Sequence, residues 1–220
     1  MAELTPVYRL AMNVVTPAIK HWGRLEVSGL EHLPPTGPVL LAGNHDSYWD
    51  PVSIGLAAKD VRQIHALAKK ELWSVPGLGP VLNGMGQIPI DRGKGDARAL
   101  DTAVERLRQG ACIGIFLEGT RSLGRTLRAR SGFYRLAERV PEAELVSVSV
   151  TGTTDLPRFP SPRPHVKVRF FRPAYSTRDE NLTARMLEEI RAEAPISATG
   201  RTPERQRRLR EKKEKAKASA

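Results

Sequence analysis

Cysteine is nearly absent from this chain: Cys112 is the only one in 220 residues, which excludes an internal disulfide framework. Its place in the apolar run Cys112 to Leu117 marks it as a buried thiol rather than a nucleophile, and the pattern fits a reducing cytoplasm. Aromatic residues are also scarce, at 5%. That leaves few platforms for stacking nucleic-acid bases, so a basic nucleic-acid-binding protein is the weaker of two classes and no nucleic-acid partner is expected. No apolar run approaches the roughly 20 residues needed to cross a bilayer, and no signal-peptide pattern is visible. His21, His32, His65 and His165 are scattered without ligand spacing, so no metal site is expected. Internal repeats are absent too.

What is present reads as one α/β domain. With 40% hydrophobic residues over 220 positions, the chain can bury one substantial core, and its length gives no reason for a second full domain. Val39 to Gly43, Gln87 to Ile90, Cys112 to Leu117 and Leu145 to Val150 read as buried strands. Val166, Val168 and Phe170 alternate with Lys167 and Arg169 as a late strand with a basic face. Leu100, Val104 and Leu107 form the apolar stripe of a helix that starts near Asp96 and stops at Gly110, a crossover between two strands. Met186 and Ile190 mark a last helix, and the proline-rich stretch 157–164 an irregular loop. The expected architecture is a single domain with a mostly parallel central sheet flanked by helices, an N-terminal amphipathic helical segment and a basic C-terminal tail.

The apolar runs end in polar clusters. Val39 to Gly43 leads into Asn44 His45 Asp46 Ser47 Tyr48 Trp49 Asp50, and ligands of open α/β sheets bind outside the carboxyl ends of strands. Histidine titrates close enough to neutrality to take a proton from a hydroxyl. A carboxylate on the other ring nitrogen would fix its tautomer and stabilise the imidazolium. Asp46 and Asp50 compete for that place, and Asp50 followed by Pro51 also reads as an ordinary helix start. Ser47 is a neighbouring hydroxyl with a minor claim as nucleophile. Ile88 to Ile90 leads into Asp91, Arg92 and Gly93, and the run to Leu117 leads into Glu118, Gly119, Thr120, Arg121 and Ser122. If the strands are parallel neighbours, His45, Arg92, Glu118 and Arg121 converge on one edge of the sheet.

These three blocks resemble those of the bacterial lysophosphatidic acid acyltransferases, members of the glycerolipid acyltransferase superfamily. The first block of that family is a His, four intervening residues and an Asp, like His45 and Asp50. The second ends in Asp and Arg, like Asp91 and Arg92, and the third reads Glu Gly Thr Arg Ser, like Glu118 to Ser122. Lys69 Lys70 Glu71 Leu72, with Pro76 beyond, is similar to the link between the first two, and the likeness covers about residues 25 to 175. It implies that His45 is the general base with Asp50, not Asp46, as its partner. It implies that Arg92, Glu118, Gly119, Thr120 and Arg121, with Lys69, bind the acceptor. Arginine suits that task, because a planar guanidinium matches phosphate oxygens in bidentate fashion. Glu118 would repel phosphate, so its expected work is to accept a hydrogen bond from a glycerol hydroxyl or to hold an arginine. The chain departs from the family at Leu117, where proline is usual, and at Val146 Ser147 Val148, where a Val Pro Val type strand is usual.

The activity so implied is transfer of a fatty acyl group from acyl-CoA or acyl carrier protein to the 2-hydroxyl of 1-acyl-sn-glycerol 3-phosphate, giving phosphatidic acid. No cofactor is expected beyond the thioester co-substrate. Glycerol 3-phosphate or another lysophospholipid is the alternative acceptor. The remaining partner is an anionic membrane surface. In the segment 1–23, Arg9, Asn13, Thr16 and Lys20 recur at helical spacing, leaving Val7, Leu10, Met12, Val14, Val15, Ile19 and Trp22 over a broad surface that either packs on the domain or lies in a membrane interface. Pro6 suits the first turn of this helix and Pro17 kinks or ends it. The net charge is +11, and residues 201–220, with nine basic and three acidic side chains, supply +6 of it. Basic segments gain about 1 kcal/mol per Lys or Arg near an anionic bilayer. The expected division is a membrane-interface segment over 1–23, an acyltransferase domain over 24–195 and a frayed basic tail over 196–220, with the protein peripheral on the cytoplasmic face of the cell membrane.

Overall fold

The computed structural model describes residues 4–91, 96–158 and 163–197. Seven strands form one sheet: β1 Glu26–Ser28, β2 Val39–Gly43, β3 Ile64–Lys69, β4 Ile88–Ile90, β5 Cys112–Phe116, β6 Glu144–Thr151 and β7 Lys167–Phe171. Their spatial order is β1-β7-β6-β2-β5-β3-β4. β2 to β6 all run parallel, whereas β7 is antiparallel to β6 and carries β1 parallel to itself. The expectation of a mostly parallel sheet flanked by helices is borne out. The β1–β7 pair at one edge is the reversed part.

Side-chain parity explains the layering. β2 is buried along its whole length, because successive side chains of a strand point to opposite faces and here both faces are covered. Leu40 and Ala42 pack with Val104 and Leu107 of α4 (Ala97–Arg108), Phe133 and Leu136 of α5 (Gly132–Arg139), and Met186 and Ile190 of α6 (Leu182–Glu193). Val39 and Leu41 face the other layer, with Tyr8 and Met12 of α1 (Pro6–Thr16) and Ile54 and Leu56 of α2 (Asp50–Ala58). The short helix α3 (Leu78–Gly84) packs against α1, where Val7 lies over Gly84. Cys112 is a buried free thiol in this second layer, and burial pushes it up to about 12.

The N-terminal segment is helical with a change of register. Thr5 caps α1 by accepting the Tyr8 amide, and Pro6 opens the first turn. Pro17 has no N–H to continue the α pattern, and from there to Trp22 the chain winds as a π-helix, with the Gly23 amide bonding the Ala18 carbonyl at 2.9 Å. Tyr8, Met12 and Ile19 are buried, while Leu10 and Val14 are 65% and 69% exposed. The apolar surface expected of this segment is therefore divided. One side packs on the domain, and Leu10 and Val14, one turn apart, face outward.

Candidate active site

β2 and β5 are parallel neighbours in register, so the segments leaving them run side by side. The Leu117 amide donates to the Gly43 carbonyl at 3.1 Å, the His45 amide to Glu118 Oε2 at 3.0 Å, and the Ser122 amide to the His45 carbonyl at 2.7 Å. Asn44 ties the same end to β6, its amide group accepting the Val150 N–H at 2.9 Å and donating to the Val150 carbonyl at 2.8 Å. His45 is thus fixed from both flanking strands.

The imidazole of His45 lies with Nδ1 at 3.0 Å from Asp50 Oδ2. Asp50 is fully buried, and its Oδ2 also accepts the amides of Asp46 at 2.6 Å and Ser47 at 2.7 Å. Its Oδ1 accepts the Thr153 hydroxyl. Asp50 opens α2, but its carboxylate turns back into the 45–48 turn and does not cap the helix. The helix-start reading therefore accounts for its place in the chain and not for its bonds. Asp46, the competing carboxylate, faces Ser122 and Arg191 instead. The Ser47 hydroxyl donates to the Thr153 carbonyl at 3.2 Å and accepts the Trp49 amide, so its proton is engaged beyond the turn. With Nδ1–H on Asp50, Nε2 of His45 is the atom left to accept a proton.

The other expected residues are distributed less evenly. Glu118 is buried beside His45, and Gly119 makes the turn after β5 with φ +68°, which a side chain would adopt only under strain. Thr120 is exposed. The Arg121 guanidinium stacks on the Tyr48 ring at 3.6 Å. Lys69 ends β3, where it pairs with Glu71 at 2.9 Å on the surface. Arg92 lies outside the described residues, and β4, which leads to it, is separated from β5 by β3. The convergence holds for His45, Glu118 and Arg121, and is not described for Arg92.

Two cavities flank this edge. One of about 200 Å³ lies between the 46–49 turn and the 121–124 loop, with Arg121 and Tyr48 in its wall. The other, about 100 Å³, is lined by Leu67, Ile90, Leu100, Ile115, Phe116 and Phe133, with Arg130 at its margin. Phe116 links it to the histidine, stacking on the His45 ring at a centroid distance of 4.1 Å. Among the described residues, no three His, Cys, Asp or Glu side chains group to hold a metal ion.

Sequence reasoning did not single out Phe116, Thr153 or Arg191. Phe116 reads as a strand residue, and Thr153 and Arg191 lie far from the three blocks. A weak signal for Thr153 was the preceding Gly152, whose φ of +76° and close approach to the His165 carbonyl leave no room for a side chain.

Glu118 is electrostatically strained. Burial pushes its carboxyl above the ordinary range, with Arg191 and the His45 amide pulling it down and Asp46 pushing it further up. Arg191, bonded to both carboxylates, is held in its charged form, its pKa raised against its own burial.

A model of the family described as Acyltransferase matches residues 24–157. The chain belongs to this acyltransferase family. The chain is 28% identical over 116 residues to a Bacillus subtilis 1-acyl-sn-glycerol-3-phosphate acyltransferase, the match covering 53% of this chain and 58% of that protein. A Helicobacter pylori protein of the same name is 32% identical over 165 residues, covering 70% of this chain and 69% of its own. The chain thus spans less than two thirds of the Bacillus relative. The crystal structure of the 1-acyl-sn-glycerophosphate acyltransferase from Thermotoga maritima has the same fold, with a TM-score of 0.61, 22% identity, and coverage of 86% of this chain and 83% of that one.

Proposed function

We propose that this chain transfers a fatty acyl group from a thioester of CoA or acyl carrier protein to the 2-hydroxyl of 1-acyl-sn-glycerol 3-phosphate, yielding phosphatidic acid. The observation that carries the reading is the contact of His45 Nδ1 with a fully buried, fully bonded Asp50 at the carboxyl end of the central strand. His45 Nε2 takes the hydroxyl proton as the oxygen attacks the thioester carbonyl. The tetrahedral intermediate collapses, the C–S bond breaks, and the thiolate leaves with the proton carried by the imidazolium. Arg121 is the described cation for the acceptor phosphate, with Arg92 as the second, Gly119 and Thr120 along the same loop, and Lys69 further out. The apolar cavity beside Phe116, of about 100 Å³, has room for a few methylene groups of an acyl chain. No cofactor takes part beyond the thioester.

Among the described residues, no helix is long and apolar enough to cross a membrane. We further propose that the protein works at the surface of an anionic bilayer on the cytoplasmic side. Leu10 and Val14 would enter the interface, and the basic stretch 201–220, which lies outside the described residues, would add electrostatic attraction.

The deciding experiment measures palmitoyl or oleoyl transfer from acyl-CoA to 1-acyl-sn-glycerol 3-phosphate with anionic liposomes, for wild type and His45→Ala. Phosphatidic acid from wild type and a loss of at least about 10³-fold in the variant is the expected result. Equal rates would remove His45 from the mechanism. An inactive wild type, repeated with acyl carrier protein as donor and with other lysophospholipids and glycerol 3-phosphate as acceptors, would redirect the substrate assignment. A burst of thiol release with donor alone would replace direct transfer by an acyl-enzyme route.

A further inference from the structure

Arg191 lies in the last turn of α6, beyond the 24–157 stretch that matches the family, yet it enters the site. Its Nη1 donates to Asp46 Oδ2 at 2.9 Å and its Nη2 to Asp46 Oδ1 at 3.0 Å. The same Nη2 donates to Glu118 Oε1 and Oε2 at 2.6 and 2.7 Å. The arginine side chain is 14% exposed and that of Glu118 only 1%. Nη1 also donates to the carbonyl of Ala194, the C-cap residue of α6, at 3.2 Å.

Both carboxylates that Arg191 bridges hold the backbone around the histidine. Glu118 accepts the His45 amide, and Asp46 takes the Ser122 hydroxyl while the Ser122 amide bonds the His45 carbonyl. We propose that Arg191 is a positioning residue for the acyl transfer, the shared counter-ion through which α6 fixes Glu118, Asp46 and hence the His45 main chain. Glu118 is then a structural carboxylate, engaged on both oxygens, and not the acceptor of a glycerol hydroxyl. Removing the guanidinium would leave Glu118 and Asp46 buried together without a cation. The charged groups facing Glu118 are Arg191 from α6 and Asp46 from the turn after β2, with His45 next in the chain. Glu118 would then hold its proton to higher pH.

The inference rests on the acyl-transfer reading for its kinetic readout, and the carboxyl titration is independent of it. Arg191→Met and Arg191→Lys are compared with wild type for kcat, KM for the acceptor, the pH profile of kcat, the melting temperature and the ¹³C carboxyl titration of Glu118. For Arg191→Met we expect kcat to fall ~10²-fold with KM within about threefold, as for a small misplacement of a catalytic group. An acid limb should move to higher pH, with a matching upward move of the Glu118 titration. Arg191→Lys keeps the charge but not the bidentate fork, so it should hold the acid limb near its wild-type position with kcat still lowered at least about tenfold. Should the Met variant fail to fold, the Lys variant decides: full wild-type kcat there would overturn the proposal. An unshifted Glu118 titration in a folded Met variant would overturn it too, as would kcat lost only in proportion to stability. Failure of the acyl-transfer reading is separately visible as an inactive wild type whose Glu118 titration still moves in the variant.

Discussion

At the residue scale, the site depends on hydrogen bonds that keep ionisable groups in one arrangement. Asp50 has four donors on two oxygens: the His45 ring, two main-chain amides and Thr153. A carboxylate so bonded stays put and holds the imidazole with Nε2 outward. Thr153 is the member supplied from beyond β6. Thr153→Val keeps the shape and removes the hydroxyl, leaving Asp50 Oδ1 unpaired in a buried place. We expect kcat to drop about tenfold with little change in KM, the pattern of a group oriented through another; steady-state kinetics with varied acceptor would show it, and a rise in KM alone would assign Thr153 to binding. One of the two departures from the family pattern becomes intelligible here. Leu117 is buried and donates its amide to Gly43, a bond that proline cannot make. Ser147 is buried with its hydroxyl unpartnered among the described residues, for which nothing in the structure gives a reason.

At the scale of elements, α1 has two sides with different environments. Tyr8 bonds the Gly55 carbonyl of α2 and Met12 packs beside it, whereas Leu10 and Val14 are left to solvent. Exposed Val75 and Val81 lie on α3 and the chain leading into it, next to α1. Leu10→Ser with Val14→Ser should lower co-sedimentation with anionic phospholipid vesicles about tenfold or more, since each side chain brings roughly 1 kcal/mol or more of apolar burial. The melting temperature should stay within a degree or two, because neither residue is in the core. Unchanged vesicle binding would leave the interface to another part of the molecule. How far such elements can be read from sequence follows from their physics. β2 and β5 carry continuous apolar runs, β6 alternates valine with serine, and α4 has both its signals, with Asp96 accepting the Ala99 amide and Gly110 closing the helix at φ +87°. β4, with Pro89 at its centre, sits at the sheet edge, where proline is tolerated. β1 has three mostly exposed residues and no pattern, β3 alternates too weakly, and α3 contains Gly79, Pro80 and Gly84, so none of the three announces itself. The connection from β6 to β7 begins with a 3-10 helix at Thr153–Arg158, and residues 159–162 of the proline-rich stretch 157–164 lie outside the described residues.

Across the whole molecule, the two ends of the sheet do different work. At the carboxyl ends of β2 and β5 the chain gathers His45, Asp50 and Glu118. At the opposite end Arg62 gathers carbonyls only: Pro34, Thr36, Gly37 and Gly110, at 2.8, 3.3, 2.9 and 2.7 Å. These belong to the segments that enter β2 and β5, so one guanidinium pins the starts of both central strands. The candidate site was legible in sequence because its residues lie in contiguous blocks. The pin was not, because its acceptors are main-chain groups with no side-chain signature, and Arg191 was not, because its partners are some seventy and more positions away. Arg62→Met tests the division of labour. It keeps much of the apolar stem but leaves four carbonyls without their donor, at a cost of about 2–4 kcal/mol. Denaturant unfolding should show that loss, while kcat at a temperature where the variant stays folded should remain within about twofold of wild type. A large fall in kcat in the folded variant would mean that strain at the base of β2 and β5 reaches His45, and that the two ends of the sheet are coupled.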